Sequence, residues 1–239
     1  MTVEDGVVMA KREDRFVRTF ECEAILFDLD GVLVDSTAVV VRTWREWAEE
    51  RRLDAGRILE VAHGRRAAET VRLFAPDLDA DSEARELERL EAEDLDGVLE
   101  IEGARELLSS LPADGWTVVT SGTRAVASGR MEHVGLPLPE RFVSADDVEN
   151  GKPHPEAYLK GAGVLGVRPE ACVVIEDAPS GVSSARSAGM RVIAVATTYR
   201  EDDLQEADAV AASLSSIRAT TRPEHGAEGG PRFELRVTE

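Results

Sequence analysis

Residues 25–35, I-L-F-D-L-D-G-V-L-V-D, decide how this chain folds. Ile25, Leu26 and Phe27 are an apolar run of the kind that forms a strand buried on both faces of a parallel sheet. The run stops at Asp28, with Asp30 two residues on and Gly31 behind it. Carboxylates are costly to bury, so two of them at the end of an inner strand require compensation. In open α/β sheets the crevice beyond the strand C-terminal ends is where ligands sit. Gly31 lets the backbone turn sharply at that place. Taken alone, the stretch also fits a plain polar turn, since Asp and Gly are common turn residues.

Working outward, the composition changes after Ser36. Val40, Val41, Trp44, Trp47 and Ala48 recur at helical spacing. The charge-dense run 80–95 reads as a solvated amphipathic helix with Leu87, Leu90 and Leu95 turned inward. With no strand signal there, residues 37–100 are expected to form an all-helical insert. Strands and helices then alternate. Strands are predicted at 116–120, 141–144, 171–175, 191–196 and about 208–211. Helices are predicted at 104–111, 124–134, 155–165 and 179–189, the last stopped by Gly189. Strands spaced by helices imply right-handed βαβ units, hence an α/β fold with a Rossmann-like parallel sheet from 22–36 and 101–216. Residues 1–21 read as an extension, and the polar, Gly/Pro-containing 217–239 as a flexible tail.

The totals bound the partners. In 239 residues, 43% hydrophobic and 31% charged, there is room for one good core and a smaller lobe. A net charge of −19 argues against nucleic-acid and anionic-membrane surfaces, although a local cation can still reverse the field. Cys22 and Cys172 lie beside apolar runs and read as buried free thiols of a reducing compartment. The first residues lack the basic start and apolar stretch of a secretory signal, and no run approaches the ~18 apolar residues of a membrane helix. A cytoplasmic monomer is the expectation.

Three predicted strands end in polar groups: Asp28/Asp30, Thr120/Ser121/Gly122 and Glu176/Asp177. A basic loop, G-K-P-H-P at 151–155, lies between the last two. In a parallel sheet these groups converge on one edge, and the crowded carboxylates cannot all stay ionised without a cation. A hard cation with oxygen ligands, Mg²⁺, fits, and with Lys152 and hydroxyl or backbone donors it suits a phosphoryl group.

D-L-D-G-V, a strand ending in T-S-G, then G-K-P, then V-V-I-E-D, in that order, resembles the haloacid-dehalogenase-like superfamily of phosphotransferases. H-G-R-R-A-A-E-T, F-A-P-D, G-K-P-H-P-E-A-Y-L-K-G and E-D-A-P-S-G narrow the resemblance to the glycerol-3-phosphatase and 2-deoxyglucose-6-phosphatase group. The resemblance implies that the helical insert is a cap and that the enzyme is a Mg²⁺-dependent phosphatase of a small sugar or polyol phosphate. It implies that Asp28 is the nucleophile, forming an aspartyl phosphate, and that Asp30 is the general acid and then base. Ser121, Gly122 and Lys152 would hold the phosphoryl oxygens. Asp28, Asp177 and the Asp30 carbonyl would hold the metal, with Glu176 a ligand or acting through water. In the cap, Arg66 matches the family's H-G-x-R arginine and is favoured over Arg65 to face the substrate, while His63 fits a substrate or a structural role equally.

Some residues have plainer readings. Thr120 serves as a strand end and Thr123 as a helix cap, and Trp44 and Trp47 suit the core of the insert, with one free to line a pocket. A sugar phosphomutase of the same superfamily is the alternative, but it carries a cap-linker histidine where this chain has Val40. A phosphonatase would need a lysine in the cap, where residues 36–99 hold only arginines as strong bases. A non-catalytic sugar-phosphate sensor would have lost one of Asp28, Asp30, Lys152 or Asp177, all present here.

Overall fold

A computed structural model describes residues 17–222 and 232–238 of the chain. The order begins β1 (Val17–Cys22), β2 (Ala24–Phe27), β3 (Val34–Asp35), α1 (Thr37–Arg51), α2 (Ala55–Ala62), α3 (Ala67–Phe74), α4 (Ala80–Glu93) and β4 (Leu99–Glu100). It continues with α5 (Ala104–Ser109), β5 (Trp116–Val118), α6 (Arg124–Val134), α7 (Glu156–Leu165), β6 (Cys172–Glu176) and α8 (Pro179–Ser187). β7 (Arg191–Val195), β8 (Ala209–Ala211), β9 (Ile217–Thr221) and β10 (Phe233–Thr238) complete it.

The central sheet is parallel throughout, in the order β5-β2-β6-β7-β8, which puts the stretch 25–27 on an inner strand. Its period of two splits the core into two layers. Ile25 and Phe27 join Val118, Val173, Ile175 and Ile193 under α5 and α6. Ala24 and Leu26 face the other way, joining Val174, Val192, Tyr158 and Ala162 of α7 and Val182 of α8. Burying each such aliphatic side chain contributes about 1.5–3 kcal/mol. Cys22 and Cys172 are buried free thiols, and burial pushes each up to about 12.

Between β3 and β4, whose short antiparallel ladder pairs Val34 with Glu100, stand α1 to α4. Asp54 and Asp79 cap α2 and α4 by accepting from the N–H groups of Arg57 and Ser82. These helices close on a core of their own built from Val40, Trp44, Trp47, Ile58, Val71 and Leu87. The Trp44 and Trp47 rings meet edge-on at 5.4 Å, and Trp47 Nε1 donates to Glu83 at 2.8 Å. Leu90, expected inward, is exposed, because the buried stripe of α4 runs through Ala80, Ala84 and Leu87 and leaves position 90 off its edge. Leu95 is half-buried against the main core.

Two further expectations are corrected. The strand at 141–144 is only a bridge from Val143 to Val119, because a turn of 3-10 helix at Ala145–Asp147, capped by Ser144, begins at once. The flexible tail at 217–239 instead contains β9 and β10, which join β1 in an antiparallel sheet, order β1-β10-β9. F-E-L-R-V-T alternates, and Phe233, Leu235 and Val237 drop into the main core beside Phe20 and Ile217. The extension at 1–21 likewise supplies β1 from residue 17, while 1–16 and 223–231 lie outside the described residues. Among the described residues no helix is long and apolar enough to cross a membrane.

Because Phe233 is fully buried, Phe233→Ala is expected to cost about 3–5 kcal/mol in urea unfolding, the range for core Phe truncation. A loss below about 1 kcal/mol would mean that β10 is peripheral to the fold.

Candidate active site

Parallel strands bring the C-terminal ends of β2, β5 and β6 to one edge, and the polar residues that follow them face a single cleft. Asp28 donates its N–H to the Ile175 carbonyl at 2.9 Å, which fixes its carboxylate at that edge. The Leu29 carbonyl then accepts from the N–H groups of Leu33 and Val34, closing the turn. Gly31 lies at φ +84°, and a Cβ there would fall 2.0 Å from Asp177 Oδ2, so the turn can pass under Asp177 only as glycine.

Lys152 is the hub of the site. Its Nζ donates to Asp28 Oδ1 at 2.5 Å, Glu176 Oε1 at 2.8 Å and the Val119 carbonyl at 3.1 Å, which uses all three ammonium protons. The Tyr158 ring centroid lies 4.8 Å from Nζ, and its hydroxyl donates to Glu176 Oε1 at 3.0 Å. Glu176 Oε2 accepts from the N–H groups of Asp177 and Ala178, both at 2.8 Å. Both Glu176 oxygens are therefore engaged by protein, which leaves it the role of holding Lys152 and the turn. Position 181 must be small for this, since a Cβ there would fall 1.5 Å from Glu176 Oε1.

Asp28, Glu176 and Asp177 each place a carboxylate oxygen within 4.8 Å of the others, and all three are buried. One ammonium against three carboxylates leaves the cluster short of positive charge. Burial pushes Asp28 up to about 7 against the pull of Lys152, with Glu176 adding to the rise. Burial, then Glu176 and Asp28, push Asp177 well above the usual carboxylate range. Burial alone would lower Lys152, but Asp28 and Glu176 outweigh it and keep the ammonium charged. Such a cluster takes up either a proton or a cation. Its all-oxygen donors suit a hard divalent ion, with Asp28 and Asp177 the carboxylates left to bind it.

Asp30 stands outside this cluster. Its Oδ1 accepts from Ser36 Oγ and from Arg130 Nη1, both at 2.7 Å, and Arg130 Nη2 donates to Glu91 of α4 at 2.7 Å. Burial raises Glu91 above its ordinary value, with Arg130 opposing the rise. A pocket opens between the sheet edge and the helical insert. Asp28, Asp30, Thr120, Ser121 and Gly122 form its floor, and Trp44, His63, Arg65, Glu88 and Glu91 hang over it.

The structure thus brings Asp28, Lys152, Glu176 and Asp177 into contact, with Asp30 and Ser121 on the same pocket. Ser121 Oγ donates to the Gly64 carbonyl of the insert at 3.0 Å, and the Gly122 N–H donates to Thr120 Oγ1 at 3.0 Å. Thr123 caps α6. Arg66, expected to face the substrate, does not line the pocket; its Nη1 donates to the Glu149 carbonyl at 2.9 Å, and Arg65 takes the pocket position. Arg66 begins α3, and helix entry there turns it toward the loop before Lys152. His63 does line the pocket, with a buried Nε2 that has no hydrogen-bond partner among the described residues. Sequence reasoning missed Tyr158, Arg130 and Glu91. Tyr158 looks like any core aromatic, whereas the other two carry a signal, a charge standing on the buried stripe of an amphipathic helix.

Comparison with known proteins gives this geometry its family. Hexitol phosphatase A of Escherichia coli (strain K12) is 44% identical over 207 residues, covering 84% of this chain and 96% of its own length. Glycerol-1-phosphate phosphohydrolase 2 of Saccharomyces cerevisiae is 36% identical over 214 residues, covering 84% and 86%. A beta-phosphoglucomutase structure from Clostridium difficile shares the fold, with a TM-score of 0.72 at 24% identity over 81% of this chain and 92% of its own. Residues 25–195 match the haloacid dehalogenase-like hydrolase family, and the chain belongs to that family.

Proposed function

We propose that the protein is a Mg²⁺-dependent phosphatase that hydrolyses a small sugar or polyol phosphate monoester through an aspartyl phosphate on Asp28. The observation that carries this reading is the Asp28 carboxylate itself. It is buried, gripped by a charged lysine on one oxygen, and open to a pocket that also holds Asp30 and Ser121. The names of the relatives, a hexitol phosphatase and a glycerol-phosphate phosphohydrolase, support the substrate class.

Asp28 attacks phosphorus, the ester P–O bond breaks, and Asp30 gives its proton to the departing alkoxide. Asp30, now ionised, takes a proton from water as that water attacks the phosphoryl group, which frees Asp28 and releases phosphate. Lys152 offsets the charge gathering on Asp28, and Ser121 turns its hydroxyl to a phosphoryl oxygen. Asp28, Asp177 and the Asp30 main-chain carbonyl would hold Mg²⁺, with Glu176 holding Lys152 in place beside them. The ion supplies electrostatic stabilisation of the transferring phosphoryl oxygens. Val40 lines the pocket where the resemblance places the mutases' histidine, and its aliphatic side chain supplies no hydrogen-bonding or acid–base group there.

Incubation with Mg²⁺ and a panel of hexitol, glycerol and hexose monophosphates is expected to release inorganic phosphate. Isomerised sugar without phosphate would instead show a mutase. Asp28→Asn is expected to lower kcat by more than about 10³-fold, and retained turnover would exclude the covalent route.

Metal binding is linked to pH. Without the ion, folded Asp28 and Asp177 bind protons that the unfolded chain has already lost above its pKa of about 4. Stability without metal therefore falls as pH rises from there through about 7, the folded value of Asp28. Mg²⁺ displaces those protons, so its stabilisation should be larger near pH 8 than near pH 5. It should reach about 2.7 kcal/mol at about 100 times Kd. Equal shifts in Tm at both pH values, relative to EDTA, would remove Asp28 and Asp177 as the ligands.

A further inference from the structure

The stripe that α4 buries, Ala80, Ala84 and Leu87, continues one turn later at Glu91. α6 buries Val126, Ala127 and Met131, with Arg130 among them. Two charged residues therefore occupy positions that packing would give to apolar ones. Arg130 is only 2% exposed, and its guanidinium spans the two lobes, Nη1 on Asp30 and Nη2 on Glu91. A buried charge costs several kcal/mol and persists where it is paired. Here the pairs are the proposed acid–base residue and the insert.

The geometry at Asp30 is lopsided. Arg130 Nη1 and Ser36 Oγ both bind Oδ1, each at 2.7 Å. No hydrogen bond from a described residue reaches Oδ2, on a side chain that lines the pocket. Two donors on one oxygen fix the plane of the carboxylate and reserve the other oxygen. One of those donors holds its place through Glu91, which belongs to the insert.

We propose that Arg130 is a positioning residue that aims Asp30 Oδ2 at the ester oxygen and makes that aim depend on the helical insert being seated, through Glu91. This rests on the phosphatase reading above. A guanidinium points its donors along directions fixed by its plane, whereas a lysine ammonium is a single rotatable donor group. Arg130 does not itself act on the substrate in this scheme; it determines whether the proton donor points at the leaving group.

The leaving group separates this role from that of a simple strut. An alkoxide must be protonated as it departs, whereas p-nitrophenolate leaves unaided. kcat/KM reports the steps up to that departure. The test compares kcat/KM for the best alkyl phosphate of the panel with that for p-nitrophenyl phosphate, in the full chain with Mg²⁺. Arg130→Met is expected to lower the alkyl value at least about 30-fold more than the aryl value, within the range of general-acid contributions. Arg130→Lys should recover part of that difference. Glu91→Gln, which retains the Arg130 side chain but weakens its anchor on the insert, should lower the alkyl-to-aryl ratio at least about threefold. An equal loss for both esters overturns the proposal. If Arg130→Met does not fold, an unchanged ratio in Glu91→Gln overturns it instead. A wild-type protein that releases phosphate from neither ester overturns the phosphatase reading itself.

Discussion

Lys152 carries one positive charge into a volume shared by Asp28, Glu176 and Asp177, and much of the molecule exists to make that tolerable. Removing one partner of a buried ion pair typically costs about 3–5 kcal/mol, because the other is left uncompensated. The compensation here is layered. The Val119 carbonyl takes the third ammonium proton, the Tyr158 hydroxyl and two backbone N–H groups saturate Glu176, and the Tyr158 ring lies against the ammonium. What remains unbalanced sits on Asp28 and Asp177, both raised above the usual carboxylate range chiefly by burial. In the proposed reading, that imbalance is what a divalent cation would relieve.

The same logic of shared charge joins the two lobes. Arg130 lies on a core helix, yet one of its partners belongs to the insert; Arg66 lies on the insert, yet it bonds the Glu149 carbonyl just before Lys152. Gly151, next to that lysine, donates its N–H to Glu69 of the insert at 3.2 Å. Val39, Leu95 and Val98 of the insert pack on the main core, while the rest of the insert closes on its own, and the polar contacts between the lobes gather around Asp30 and Lys152. Polar seams are orientation-dependent and easily exchanged for ligand, which suits a lobe that must let substrate in.

Much of the sheet and of the site was legible because buried parallel strands leave short continuous apolar runs that end where the polar groups of the site begin. Asp28, Asp177 and Lys152 could be placed together from strand order alone. The terminal strands were misjudged because Gly, Pro and polar residues at 222–231 dominate the composition there and mask the alternation of Phe233, Leu235 and Val237. Arg65 and Arg66 were exchanged because adjacent residues at a helix entry diverge by a rotation that sequence spacing does not specify. Glu91 and Arg130 were readable in principle, each a charge on an apolar stripe, but only contact between two distant helices shows that they answer one another.

The Gly64 carbonyl accepts from both Ser121 and Ser180, at 3.0 and 3.3 Å. A serine hydroxyl has a single proton, so Ser121 cannot bind an arriving phosphoryl oxygen while it still fastens the insert. If Ser121 takes the proposed phosphate-binding role, occupancy would trade one clasp for another: ligand entry would release Gly64 on the Ser121 side and leave Ser180 holding alone. In that scheme part of the binding free energy of phosphate would go to undoing the Ser121–Gly64 clasp.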